Sequence, residues 1–579
     1  MKKYDKSIVK RLLPYIARHK AAFAASLAFA LASVVLQLYV PIVFGDAIDC
    51  ISVSGETDFA AMGRCLAVAA LLAAASGVFT LLMNLLNNRI AFGTVADIRS
   101  QAIRHIQRIP VSYMDTHETG DLLSRVITDT DMLTDGLLLG FSQIFTGVLT
   151  IAVTLVFMFS ANVTVSLIVV LLTPVSFLVA RFVSARSYRI FGRQNGIRGT
   201  QTGMINEFVT EQKTVRAFGY EERASEKFGR INDELTECSV KAVFYSSLTN
   251  PSTRFVNNLV YAGVALAGVL LVPGGVLTVG GLSVMLAYAN RYMKPFNDIS
   301  SVVTELQNAF ACAARVFELL DEQPEAEQTG DVLGTAAGAV DINDVSFSYD
   351  KSRPLIRGME LHVRPGERVA IVGPTGCGKT TLINLLMRFY DVDSGHIDVD
   401  GRDIRTVTRH SLRSNYGMVL QDTWLMHGTV RDNIRFGTPD ADDEAVISAA
   451  ESARCYDFIK RLPKGLDTVI TENSLSRGQR QLLCIARAML CLPPMLILDE
   501  ATSSIDTNTE QKVQAAFDTM MRGRTSFVVA HRLSTIRNAD VILVMKDGQV
   551  IEQGTHESLL SREDSFYRKL YTSQFVQSK

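Results

Sequence analysis

The chain has 579 residues, more than one hydrophobic core accommodates, and its 58 basic and 59 acidic side chains nearly cancel, which removes nucleic acid as the default partner. With 48% hydrophobic residues and a positive mean hydropathy, its long apolar runs lie almost entirely in the first 320 residues, so a membrane-like half is joined to a water-soluble half. The eight cysteines (50, 65, 238, 312, 377, 455, 484 and 491) show no paired metal-ligand spacing and read as packing residues in reducing surroundings.

The basic, amphipathic start MKKYDKSIVKRLLPYIARHK has no small-residue cleavage site before the first apolar run and is expected to be retained. Six apolar stretches of about 20 residues, the length that crosses a bilayer, follow near residues 22–48, 62–86, 137–160, 163–184, 254–274 and 276–296. Lysines and arginines precede the first stretch, and Asp49, Glu56 and Asp58 follow it, so the N-terminus is expected inside. The Arg-rich segments 87–136 and 185–253 then fall inside, while the uncharged turns SAN (160–162) and VPGGVLTVGG (272–281) fall outside. A buried helical bundle in a soluble protein is the poorer reading, because the charge asymmetry would then be coincidence at every turn.

Both long inner segments have helical periodicity and continue their neighbouring spans, so they are expected to project past the membrane as paired helices. Pro110 and Gly120 bracket a turn in IPVSYMDTHETGDLLSRV (109–126), and Phe218 and Gly219 centre another in VTEQKTVRAFGYEE (209–222). Such tips suit docking onto another domain; periodicity alone fits solvated charged helices equally well. Within the spans, Gln37, Tyr39, Asn84, Asn257, Asn258, Tyr288, Asn290 and Arg291 are the polar candidates for an amphipathic cavity, although interhelical contacts are the commoner role of such residues. Arg291 is placed near the inner end of the last span, where snorkelling to the interface accounts for it.

The acidic, Pro/Gly-bearing stretch DEQPEAEQTGDVLGTAAGAV divides the chain into a membrane domain (1–320), a linker (321–340) and a soluble domain (341–579). In the soluble domain RVAIVG reads as a buried strand and CGKTTLINLLMRFY as a helix, enclosing the loop GPTGCGKTT in the strand, loop, helix order that a phosphate loop requires. Gly373, Gly376 and Gly378 let backbone amides approach phosphates, with Pro374, Thr375, Cys377 and Thr381 completing the loop. Lys379 supplies positive charge, and the Thr380 hydroxyl can ligate Mg²⁺. A second apolar strand, MLILDE, ends in Asp499, which can hold the metal through water, and Glu500, which can orient or deprotonate the attacking water. His531 follows another buried strand, where an imidazole could contact the γ-phosphate; alone it is an ordinary core or surface histidine. A further piece of phosphate chemistry stands apart at TENSLSRGQRQ (471–481), the start of a helix offering the Ser476 hydroxyl and the Gly478 amide to an anion.

Taken in order, these motifs resemble the ATP-binding cassette exporters over nearly the whole chain, in the half-transporter form with the membrane domain first. The resemblance implies a six-span α-helical membrane domain joined to an α/β P-loop nucleotide-binding domain, with ATP and Mg²⁺ as cofactors. It makes Tyr349 in FSYD the aromatic that stacks on adenine, GPTGCGKT the Walker A loop, and Gln421 in VLQD a γ-phosphate sensor and metal-side residue. LSRGQ, with Ser476, Gly478 and Gln479, becomes the signature, ILDE the Walker B strand, SSID (503–506) the D-loop and His531 the switch histidine. Two such domains dimerise head to tail in this family, so the signature of one chain closes over ATP held by its partner. The tip near 110–120 is then expected to touch both cassettes, and that near 213–222 to enter the partner's.

Two departures from the family pattern stand out. Arg477 occupies the first of two usual glycine positions, and DTVITENSLS is about two residues shorter than the usual lead-in, with Thr471 in place of a glycine and Glu472 recognisable. The Walker face is complete while the signature face is altered, which favours a heterodimer with a second half-transporter chain over a homodimer. The expected function is ATP-driven export, or leaflet flipping, of a hydrophobic or amphipathic substrate across the plasma (inner) membrane, with the nucleotide-binding domain cytoplasmic. Chromosome-maintenance ATPases share the signature and Walker pair but carry long coiled coils and basic surfaces rather than spans. An importer, or an ATP-dependent sensor or gated channel on the same scaffold, remains as an alternative.

Overall fold

The computed structural model describes residues 3–51, 58–325, 330–420, 423–471, 474–499, 506–530 and 533–573. They form two compact units, one of Met1–Arg108 with His117–Glu322 and the other of Ile109–Thr116 with Gln323–Lys579.

The first unit is helical. An amphipathic helix, Lys3–Ala17, buries Ile8 and Leu12 and is pinned by Arg11 to Asp321 and by Arg18 to Asp97 (2.7 Å). Each of the six apolar stretches lies on a helix: Lys20–Asp49, Phe59–Ile106, the run ending in Thr146–Ala161, Val163–Thr210, Glu221–Leu271 and Val279–Asp321. Among the described residues, four are long and apolar enough to cross a membrane: Lys20–Asp49, Phe59–Ile106, Thr119–Ala161 and Arg254–Leu271. In the fourth stretch the apolar residues that can be described are Val163–Pro174, and the sixth is diluted by Asn290, Arg291 and Lys294. At 1.5 Å per residue, the 30-residue helix Lys20–Asp49 is about 45 Å long, the thickness of a bilayer with its headgroups. The 48-residue helices Phe59–Ile106 and Val163–Thr210 reach about 72 Å and outrun that thickness by several turns, as the inner segments require.

Close approach of the first and last of these helices is set by small residues. A Cβ on Gly280 would lie 2.1 Å from the Gly45 carbonyl oxygen, and the Gly280 amide donates to Asp49 Oδ1 at 2.7 Å. Lower down, the buried Tyr288 hydroxyl donates to the Leu38 carbonyl (2.8 Å). Packing and hydrogen bonding hold such contacts, because lipid offers no hydrophobic drive between helices.

The second unit carries a six-stranded sheet whose neighbours run Gln549–Gly554, Val541–Lys546, Arg368–Val372, Thr525–Val529, Met495–Asp499 and Tyr416–Val419. All pairings in it are parallel except the edge pair Val541–Lys546 with Gln549–Gly554. Every residue of Met495–Asp499 and Thr525–Val529 is buried, the continuous apolar run that a parallel strand covered on both faces demands. An antiparallel sheet built on Val340–Phe347, flanked by Ile356–Val363 and Ser394–Val399, packs its Val340, Ile342 and Val345 into the same core as Val369 and Ile371.

The Gly45–Gly280 crossing yields a clear expectation. Gly280→Ala forces the two helices apart and lowers the thermal midpoint of the detergent-purified protein, at a cost of about 1–3 kcal/mol. Gly63→Ala, on a helix face with nothing within 4 Å of the added methyl group, leaves the midpoint unchanged or raises it.

Candidate active site

Four of the parallel strands, Arg368–Val372, Thr525–Val529, Met495–Asp499 and Tyr416–Val419, end at one edge of the sheet, and each leads in sequence to a residue with a candidate role. Arg368–Val372 leads to Gly373, Met495–Asp499 ends on Asp499 itself, and Val529 is paired with Asp499 in register. Ligands of open α/β sheets bind at this edge, where loops leave the carboxyl ends of the strands. Gln421, Glu500 and His531, expected to act on the attacking water and the γ-phosphate, lie outside the described residues; the strands before them in sequence end at this edge.

The phosphate loop has the backbone that its sequence calls for. Gly376 (φ +81°) and Gly378 (φ +101°) occupy left-handed conformations, and a Cβ on Gly376 would point into open space. A Cβ on Gly373 would lie 2.2 Å from the Met545 carbonyl oxygen, so only glycine fits there. Gly378 caps the helix Lys379–Leu386, leaving the amides of the first helical turn directed into the loop. Lys379 Nζ donates to the carbonyls of Gly373 (2.8 Å) and Pro374 (2.9 Å), which hold the ammonium over the loop. Thr375 and the Thr380 residue are exposed, whereas Thr381 and Cys377 are buried behind them. Burial pushes the Cys377 thiol up, against the pull of Lys379, so it is a packing group rather than a nucleophile. Asp499 is 9% exposed at the end of its strand. Open amides, a cation and an accessible hydroxyl, with a buried carboxylate at the same edge of the sheet, fit a nucleoside triphosphate; when bound, its phosphates supply the charge that these groups meet.

Tyr349 is half exposed and meets Tyr390 edge to face, with ring centroids 5.0 Å apart; Phe347 closes the cluster. Asn384 Nδ2 donates to the Tyr349 hydroxyl at 3.2 Å. Sequence reasoning singled out Tyr349 but missed Tyr390. The Tyr390 hydroxyl donates to Asp115 Oδ2 at 2.5 Å, on the short helix Val111–Thr116 between Pro110 and Gly120. Burial and then the Asp115 carboxylate push the Tyr390 phenol up, so it stays protonated and donates throughout the physiological range. The only signal available in sequence was the exposed-looking YMD between Pro110 and Gly120, with no indication of its partner.

Across the unit, Ser476 caps the helix Arg477–Cys491. Its hydroxyl accepts from the Gln479 amide (3.3 Å), and Gln479 Oε1 accepts from the Ser476 amide (3.0 Å), a reciprocal capping box. Gly478 is buried in the first turn, and Arg477 is exposed. The shortened lead-in closes on itself through Thr471 and Ser474: the Ser474 amide donates to the Thr471 carbonyl (3.0 Å), and its hydroxyl accepts from the Thr471 amide (2.5 Å). Glu472 falls outside the described residues. On the other inner tip, in the first unit, Phe218 is 83% exposed beside Gly219 in the left-handed region.

A strand, glycine loop and helix that seat phosphates, on a chain whose other half is membrane-length helices, define a membrane-anchored P-loop ATPase. Residues 23–296 match the family of the ABC transporter transmembrane region, and residues 356–503 match that of the ABC transporter. The chain is 42% identical over 517 residues to a fatty acid ABC transporter ATP-binding/permease protein of Mycobacterium tuberculosis, covering 88% of this chain and 81% of the relative. It is 36% identical over 504 residues to an ATP-dependent lipid A-core flippase of Syntrophus aciditrophicus, covering 86% and 83%. The structure of a bacterial Atm1-family ABC exporter with ATP bound superposes with a TM-score of 0.77 at 29% identity, covering 99% of each chain. The chain therefore belongs to the ABC transporter family and is a half-transporter of the exporter type, a membrane-spanning ATPase with a cytoplasmic nucleotide-binding domain that works as a dimer.

If the Tyr390–Asp115 hydrogen bond joins the aromatic cluster to the inner tip, Tyr390→Phe and Asp115→Asn are not additive. A double-mutant cycle on the thermal stability of the purified protein is expected to give a coupling of about 1–2 kcal/mol. Strictly additive effects contradict the contact.

Proposed function

We propose that this chain is one half of a heterodimeric exporter that uses ATP and Mg²⁺ to move a hydrophobic or amphipathic substrate out of, or across, the plasma (inner) membrane by alternating access. The observation that carries the reading is the phosphate loop and Asp499 at one sheet edge, in a unit that also contains the inner-tip helix Val111–Thr116. In this reading residues 1–320 form the membrane domain, 321–340 the linker and 341–579 the nucleotide-binding domain. Lys379 and the loop from Gly373 to Thr381 hold the phosphates, and Tyr349 stacks on adenine. Thr380, Asp499 and Gln421 hold Mg²⁺. Glu500 orients or deprotonates the attacking water, with His531 on the γ-phosphate. Ser476, Gly478 and Gln479 close over the partner's ATP, so binding draws the two domains together and hydrolysis releases them. The relatives named for fatty acid and lipid A-core support an amphipathic substrate with a long apolar part.

The signature face argues for two different chains. Thr471 and Ser474 of its lead-in hydrogen-bond to each other, and Arg477 stands at a position that is usually glycine, while the Walker residues are all present in the sequence. A site that lacks its own glutamate base is under little pressure to keep a fully shaped signature opposite it. The partner is therefore expected to lack the equivalent of Glu500, and the site formed by this chain's Walker face carries most of the hydrolysis.

Two outcomes test this reading. Glu500→Gln lowers hydrolysis by about 10²–10⁴-fold while ATP still binds, whereas Lys379→Ala loses ATP binding itself. Unchanged turnover in both variants removes the site assignment. Expressed and purified without a partner, the chain is expected to show weak ATPase activity and no stable dimer; a stable homodimer with brisk, cooperative hydrolysis overturns the heterodimer.

A further inference from the structure

Arg291 sits deeper than its sequence position implied. Gly280 and Asp49 mark one level at the outer ends of their helices, joined by their 2.7 Å hydrogen bond. Arg291 follows Gly280 by eleven residues and Gln37 precedes Asp49 by twelve, so both lie about 17 Å below that level at 1.5 Å per residue. Lys20, at the inner start of the same helix, is about 25 Å away from Gln37 in the other direction. A guanidinium near the middle of a layer about 40–45 Å thick is beyond snorkelling reach of either interface.

Among the described residues Arg291 has no carboxylate partner. Its one hydrogen bond among these residues is from Nη1 to Gln37 Oε1, a long 3.3 Å contact to a neutral amide. Gln37 Nε2 in turn donates to Ser33 Oγ (3.3 Å), which lies 2.7 Å from Thr80 Oγ1 and 3.3 Å from Ser76 Oγ. The network therefore spans three helices and carries a cation at one end with neutral hydroxyls and amides behind it. A guanidinium has five N–H donors in a planar fork, and most of these remain for another acceptor. A charge held at this depth without a counter-ion is costly, and it is retained where an ion is bound or moved.

We propose that Arg291 is the anion-binding residue of the transport path, with Gln37 orienting its fork, and that the transported amphiphile carries a carboxylate or phosphate headgroup. This rests on the export reading above and narrows it from amphiphiles in general to anionic ones. An uncharged or cationic headgroup leaves the guanidinium unpaired, whereas an acid accepts two parallel N–H bonds from it.

The test uses the transporter with its partner chain in lipid vesicles and three probes that share one tail: oleate, oleyl alcohol and oleylamine. Wild type is expected to transport oleate at a concentration about tenfold lower than the alcohol, the factor that one charge-assisted pair supplies, and to transport the amine least. Arg291→Gln abolishes that ranking, and Arg291→Lys, which keeps a cation at the same depth, retains it. Wild type that moves all three equally, or an Arg291→Gln variant that still prefers oleate, overturns the assignment and leaves the export reading standing. A wild-type transporter that moves none of the three removes both.

Discussion

The architecture depends on a requirement that no single side chain meets: backbone amides must converge on a highly charged phosphate group while the surrounding strands stay dry. The glycines of residues 373–378 meet it. Gly376 and Gly378 take left-handed conformations, and Gly373 packs where a Cβ would strike the Met545 carbonyl oxygen. The buried parallel strands fix the edge at which this occurs, because their apolar residues pack against both faces of the sheet. Lys379 and Asp499 are brought to that edge by the fold of the sheet rather than by closeness in sequence.

A phosphate site alone is an ATPase; export needs its occupancy to be felt in the membrane spans. The Tyr349–Tyr390–Asp115 chain is a physical candidate for the first step. It runs from the aromatic expected on adenine, through an edge-to-face ring contact, to a hydrogen bond on the inner-tip helix, and all three residues belong to one compact unit. Between Arg108 and Ile109, and again between Thr116 and His117, the chain passes from one unit to the other, so the tip helix is covalently tied at both ends to helices of the membrane unit. Inside the membrane, the helices Lys20–Asp49 and Val279–Asp321 are joined at the Gly45–Gly280 crossing, at Tyr288 and at Arg291, which makes them a single packed pair.

Much of this was legible in the sequence because it rests on local patterns. The apolar runs, the basic flanks and the strand, loop, helix order of GPTGCGKTT each depend on residues within one element. TENSLSRGQRQ was readable as the start of a helix, and the helix Arg477–Cys491 does start there, with Ser476 and Gln479 forming a capping box that the sequence reading had not singled out. The contacts that were not legible join residues far apart in the chain. Tyr390 and Asp115 are 275 positions apart, and Arg291 and Gln37 are 254 apart. Arg291 is placed by sequence near the inner end of the last span; the hydrogen bond that aligns Gly280 with Asp49 adds that it lies about 17 Å along the helix from that level, which the sequence alone does not show. The sixth stretch also shows the limit of hydropathy as a signal, since Arg291, one of the polar groups that dilute it, is hydrogen-bonded to its neighbour.

The central claim is that ATP in the cytoplasmic unit rearranges the outer ends of the spans. It is tested most directly by the distance between spin labels at Phe59 and Val163, at the outer starts of two helices, in the transporter assembled with its partner. The account requires the distance distribution to shift when ATP is added to the Glu500→Gln transporter, and to stay fixed when ATP is added to Lys379→Ala. A distribution that does not respond to ATP in the Glu500→Gln transporter contradicts the coupling of nucleotide to membrane on which the account depends.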